Sequence, residues 1–154
     1  ILVVMTLMAV VIATAGGLFI YSIRMDQKTR AILNVKQIGD NAISTMINKI
    51  RQTEVEPTIC LVSPTSSNTI NVIIDDSETI ITCSADGIRL GADNNLISDG
   101  LAVEGFGSCF TCYADTLGQP AIVEINFTLS KGSGGDPQRD VSLDFMTSIS
   151  LRNY

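Results

Sequence analysis

The run from Ile1 to Ile23 holds no charged residue, and nothing that would turn the chain separates it from an amphipathic stretch reaching Gln52. At about 1.5 Å of rise per residue the run makes roughly 35 Å of helix, enough to span the hydrocarbon core of a bilayer. Arg24 ends it, and Asp26, Lys28 and Arg30 follow within two turns. Beyond Ala31 the pattern changes. Ile32, Val35, Ile38, Ala42, Ile43, Met46, Ile47 and Ile50 recur at spacings of three and four, one stripe of a helix with a 3.6-residue period. Asn34, Lys36, Gln37, Asn41, Ser44, Asn48, Lys49 and Arg51 make the opposite, polar face. Gly39 weakens this helix slightly without ending it, whereas the charged stretch Glu54 to Glu56 followed by Pro57 stops it. The spacing therefore predicts one helix from Ile1 to about Gln52, with its first half projecting beyond the body. Gly16 and Gly17 each cost about 1 kcal/mol against Ala. They either loosen the helix or let a neighbouring helix approach closely in an apolar medium. Thr6 and Thr14 are expected to hydrogen-bond back to their own helix. Tyr21, Arg24 and Lys28 suit the edge of a membrane.

From Thr58 on, the hydrophobic period becomes two. Strands are expected at Thr58–Ser63, Thr69–Asp75, Thr79–Ser84, Ile88–Leu90, Ala121–Ser130 and Val141–Leu151. Turns are expected at Pro64–Asn68, Asp76-Ser77 and Asp86-Gly87. The last two strands alternate most cleanly. Ala121, Val123, Ile125, Phe127 and Leu129 share one side of the first, and Val141, Leu143, Phe145, Ile149 and Leu151 one side of the second. The glycine-rich stretch Lys131 to Gln138 joins them as an antiparallel pair, and the natural cover for their apolar side is the Ile32–Ile50 stripe. The fold class is then α+β: a long N-terminal helix with a protruding apolar half and an amphipathic half packed on an antiparallel β-sheet. Residues 1–23 form the apolar helix, 24–52 its amphipathic continuation, and 53–154 a β-rich domain outside the cytoplasm.

Ile1-Leu2-Val3-Val4-Met5-Thr6-Leu7-Met8-Ala9-Val10-Val11-Ile12-Ala13 resembles the apolar stretch that follows the Phe-Thr-Leu-Ile-Glu start of the type IV pilin and type II secretion pseudopilin family. Phe145-Met146-Thr147-Ser148-Ile149-Ser150-Leu151-Arg152-Asn153 is similar to the final strand of the J- and W-type minor pseudopilins. The middle of the chain matches the family only in layout. The resemblance implies that Ile1 follows directly on the family's glutamate. It also implies that a leader peptide precedes that glutamate, and that Gly17 stands near the place where the family has a helix-breaking proline. The implied function is assembly through the N-terminal helix, with copies of itself or other pilins as partners in a helical filament. The inner membrane would hold the precursor, and the filament would be extracellular or periplasmic. Ile1, Val4, Leu7, Met8, Val11, Ile12, Gly16 and Gly17 are the expected assembly residues, with Arg24 and Lys28 available for pairing between subunits.

Charge and composition narrow the alternatives. The net charge is -6 and the pI about 4.4, which makes a nucleic-acid backbone a poor partner. The chain has no His, so the commonest general base and metal ligand are missing, and no carboxylates, Cys or Lys are spaced as a paired site. Catalysis, a cofactor and a resident metal are not expected. Ala13-Thr14-Ala15 has the form of a signal-peptide cleavage site, but the apolar run continues past it through Leu18-Phe19-Ile20-Tyr21. A membrane-tethered binding or sensor module outside the cytoplasm is the rival from a different class.

The four cysteines are Cys60, Cys83, Cys109 and Cys112, an even set for which disulfides are the default in an oxidising compartment. Connectivity is not readable from sequence. A bridge from Cys60 to Cys83, between separate expected strands, and a local Cys109–Cys112 loop are the preferred pairings. Cys109-Phe110-Thr111-Cys112 also has the spacing of a redox or zinc motif, but no helix follows it and no His completes a zinc set. The oxygen-rich stretch Gly91 to Asp99 lacks the alternation and terminal glutamate of a calcium loop and reads as a solvated turn. Asn126-Phe127-Thr128 is a glycosylation sequon placed mid-strand.

Overall fold

A single helix, α1 (Leu2–Arg51), runs without interruption through Gly16, Gly17 and Gly39. The structure, a computed structural model, describes residues 2–52, 65–74, 77–92, 94–97, 100–113, 121–132 and 140–151. The hydroxyl of Thr6 donates to the carbonyl of Val3, and that of Thr14 to the carbonyls of Val10 and Val11. Both threonines thus satisfy themselves along the helix as expected. At the far end, the Gln52 N–H is shared between the carbonyls of Asn48 and Lys49 at 3.2 Å, and Lys49 and Arg51 place positive charge on the last turn. The Glu54–Pro57 stop signal lies outside the described residues.

Among the described residues the body is made of two antiparallel sheets. The first has four strands in the order β2 (Thr69–Ile74), β3 (Ser77–Ser84), β4 (Gly87–Leu90) and β5 (Asn94–Asn95). The tight β3–β4 hairpin turns through Ala85 and Asp86, with Ser84 opposite Gly87. Gly87 has φ 147° and lies against the Asn95 side chain, so a Cβ there would meet both strain and the amide. The second sheet is built on β8 (Ile122–Lys131). Along one edge β8 pairs over its whole length with β9 (Val141–Ser150). Its other edge is shared end to end by β6 (Ala102–Glu104) and β7 (Phe110–Tyr113), and β1 (Thr65–Ser67) closes the sheet beyond β7.

Between β6 and β7 the chain leaves the ladder. Glu104 pairs with Thr128 while Phe110 pairs with Ile125, so Gly105 to Cys109 loop out opposite Asn126 and Phe127. Gly105, at φ 75°, starts the excursion, and Phe106–Ser108 form one 3-10 turn within it.

The expected stripe is the helix's core face. Val35, Ala42, Met46 and Ile50 are buried, with Ala31, Ile32, Ile38, Ile43 and Ile47 packed along its flanks. This face lies on β9 and β8 and reaches β2, where Val123, Ile125, Phe127, Leu129, Val141, Phe145 and Ile149 point inward. Phe127 and Phe145, partners in register, stack with ring centroids 5.4 Å apart. On the outer face of the same pair Thr128 donates a hydrogen bond to the Asp144 carboxylate at 2.7 Å.

Four strands differ from expectation. Thr65–Ser67, expected as a turn, forms β1 against β7, helped by a 3.0 Å hydrogen bond between the hydroxyls of Ser66 and Thr111. Its sequence carries no apolar alternation, and the pairing comes from the free edge of β7. Asn94–Asn95, inside an expected solvated turn, pairs with β4, and β6 and β7 lie where no strand was expected. The strand expected at Thr58–Ser63 lies outside the described residues.

Candidate assembly surface

Every described side chain from Val3 to Arg30 is exposed, and the apolar ones surround the helix instead of forming one face. The exposures of Val4, Leu7, Met8, Val11 and Ile12 fall within the range of those of Val3, Met5, Val10, Leu18, Phe19, Ile20 and Tyr21. The apolar surface extends all round the described part of the Ile1–Ile23 run. Ile1 lies outside the described residues. A helix apolar on all sides is stable only when something covers all sides: lipid, or other helices.

The scale of the exposure supports this. The chain exposes 9935 Å², against about 7,600 Å² for a compact monomer of 16.5 kDa, and the projecting helix contributes to the difference. It is the one described helix long and apolar enough to cross a membrane, and none of its apolar window is buried within the chain. A contiguous apolar surface larger than the ~300–600 Å² typical of a monomer marks an interaction site.

Gly16 and Gly17 sit in this half, and a Cβ at either would meet nothing within 4 Å. Neither glycine is required by the chain's own packing. Below the apolar half stands a charged collar. Arg30 pairs with Asp26 one turn earlier at 2.9 Å, a largely exposed i,i+4 pair whose worth is about 0.3–0.5 kcal/mol. Arg24 and Lys28 form no ion pair among the described residues and keep their charges available.

The cysteines follow a different plan from the expected one. Cys83, on β3, and Cys109, at the end of the looped-out segment, are both free and completely buried. Cys112, on β7, is disulfide-bonded, and neither of those two is its partner. The local Cys109–Cys112 loop and the Cys60–Cys83 bridge are thus not formed; Cys60 itself lies outside the described residues. The physical reason is direction. The segment from Cys109 to Cys112 runs into an extended strand, so its two cysteines do not close a tight loop, and Cys109 turns instead toward β3. This strand also removes the helix start that a thioredoxin-type site uses. The Cys83 thiol is pushed far up from its usual value, first by the hydrogen bond it shares with Cys109, then by burial and the neighbouring sulfur's charge.

No group of three or more His, Cys, Asp or Glu able to hold a metal occurs among the described residues. In the oxygen-rich stretch, the Asn95 side-chain oxygen is committed to the Ile97 N–H at 3.2 Å. A groove of about 380 Å³ opens beside the helix and β9 between Lys36, Asp40, Asp144 and Met146 and gathers no nucleophile. Asn126 of the sequon is mid-strand on β8, with its N–H held by the Cys109 carbonyl at 2.8 Å. No protein-family model, characterised protein or solved structure matches the chain.

Proposed function

We propose that the chain is a structural subunit of a type IV pilus or a type II secretion pseudopilus, assembling through its N-terminal helix. The observation that carries this reading is the division of α1 at about residue 30. Before it the described helix is uncovered on all sides, and apolar all round as far as Ile23; after it the same helix packs into the core of a β body. A pilin-like architecture of this kind presents an apolar rod and a polar head on one rigid element. Burying each large apolar side chain of the rod is worth about 1.5–3 kcal/mol, enough in sum to overcome the roughly 4–15 kcal/mol lost in immobilising a subunit. Gly16 and Gly17 then supply close approach between rods, and Arg24 and Lys28 meet acidic groups of neighbouring subunits. The partners are copies of this chain or other pilins; the precursor waits in the inner membrane.

The same rod also suits a tether that never leaves the bilayer, because its length matches the hydrocarbon core and its basic residues begin where the apolar run ends. Shearing assembly-competent cells, collecting filaments and probing them for this chain separates the two readings. Recovery in the filaments supports the subunit. Recovery solely in the membrane fraction overturns it in favour of a tethered binding or sensor module.

A further inference from the structure

Two buried thiols face each other across the seam between the sheets. Cys83 belongs to β3 of the four-stranded sheet, where the Cys83 N–H donates to the Asn68 carbonyl at 2.8 Å. Cys109 closes the looped-out segment of the other sheet, and its carbonyl accepts the Asn126 N–H at 2.8 Å. The seam is fixed a few residues away by the Val103 N–H, which donates to the Ala85 carbonyl at 3.2 Å. Both backbones are therefore anchored, and their side chains, each 0% exposed, lie close enough for the two thiols to interact directly. The excursion Gly105–Cys109 has this as its visible result: the Cys109 carbonyl stays bonded to β8 while its thiol lies beside Cys83 on β3.

We infer that Cys83 and Cys109 are joined by a disulfide in the mature protein, locking the two sheets together. The inference rests on the body being exported, as proposed above, because a reducing cytoplasm would keep the thiols. The oxidant is a protein disulfide of an exported thiol oxidoreductase. One cysteine thiolate attacks it to give a mixed disulfide, and the second displaces the oxidoreductase thiol. The Sγ–Sγ bond forms, the oxidant's S–S bond breaks, and the two electrons and two protons end on the oxidant as a dithiol. Because the folded site hides both sulfurs and disfavours the Cys83 thiolate, exchange takes place before the seam closes. The resulting bridge constrains the chain between residues 83 and 109 and the packing of one sheet on the other, independently of the bond that Cys112 already makes.

The test uses the full chain, purified in detergent, refolded in a glutathione redox buffer, and digested without reduction for mass spectrometry. A peptide pair linking Cys83 to Cys109, with Cys60 and Cys112 crossing to neither, is the expected result. Alkylatable thiols at Cys83 and Cys109 after oxidative refolding, or either cysteine linked elsewhere, overturns the inference. The single variants C83A and C109A and the double variant should lower Tm by the same amount, roughly 10 °C or more. Losses that add in the double variant would show two separate packing contributions and overturn it as well. Protein recovered from cells separates the two proposals: linkage in the glutathione buffer with free thiols in the cellular protein supports the pairing and refutes export.

Discussion

Gly39 of α1 sits directly against the ring of Phe145 on β9, so close that a Cβ at residue 39 would overlap the ring carbons. Phe145 has little freedom to withdraw, because it is buried and stacked on Phe127. The glycine is what lets the helix lie down on its sheet.

The substitution G39A should therefore destabilise the body although Ala is the better helix former. The propensity gain of about 1 kcal/mol is set against an overpacking cost of about 1–3 kcal/mol. The expected outcome is a lowered denaturation midpoint, restored in part by F145L. A midpoint raised by G39A would show that the ring moves aside freely.

This contact also marks the limit of what the sequence made legible. The helix, its core stripe and the β8–β9 pair were readable, because each is a periodic pattern within one continuous segment. Gly39 read as a weakness since its partner is distant in the chain and on a strand whose position relative to the helix no local pattern encodes. The strands β6 and β7 were missed for a related reason. Val103, Phe110 and Cys112 do point inward, but the looped-out Gly105–Cys109 breaks their period-two phase. The same loop decides which cysteine Cys109 meets, so the thiol pair could not be read either. At the candidate assembly surface the apolar span and the charged collar were legible in the sequence, whereas the all-round exposure required the placement of the body.

Removal of residues 1–25 should leave a water-soluble body with an essentially unchanged unfolding midpoint. No described side chain of the segment is buried, and the first helix residues packed on the core are Ala31, Ile32 and Val35. Circular dichroism melts of the shortened and full chains, the latter in detergent, provide the comparison. A loss of cooperativity on truncation would show that the rod supports the body.

G17L should leave the body's stability unaltered and impair filament incorporation. Within the chain a larger side chain there meets open space and the helix gains up to ~1 kcal/mol in propensity. In a packed filament the same side chain holds neighbouring helices apart. Equal recovery of G17L and the parent chain in sheared filaments would remove close approach at this glycine from the assembly scheme.

V10D is the sharpest test of the rod. Val10 is 60% exposed in the isolated chain, so an aspartate there touches no core residue and the β body should fold with its native midpoint. A charge in the middle of an apolar helix costs ~2.5–3.5 kcal/mol on membrane-insertion scales. It would be more costly still if left unpaired between packed rods, where neither water nor a lipid headgroup reaches it. I12D, at 69% exposure two residues on, should behave alike, which guards against a peculiarity of one position. The expected result is a folded, membrane-recovered chain missing from sheared filaments. A tethered module predicts a different pattern: exchanging the whole Ile1–Ile23 run for an unrelated apolar span would preserve its activity, because lipid does not discriminate among apolar sequences as a packed filament does. Failure of that exchanged chain to enter filaments, with its body folded and its membrane insertion intact, would assign the specificity to the rod's own side chains.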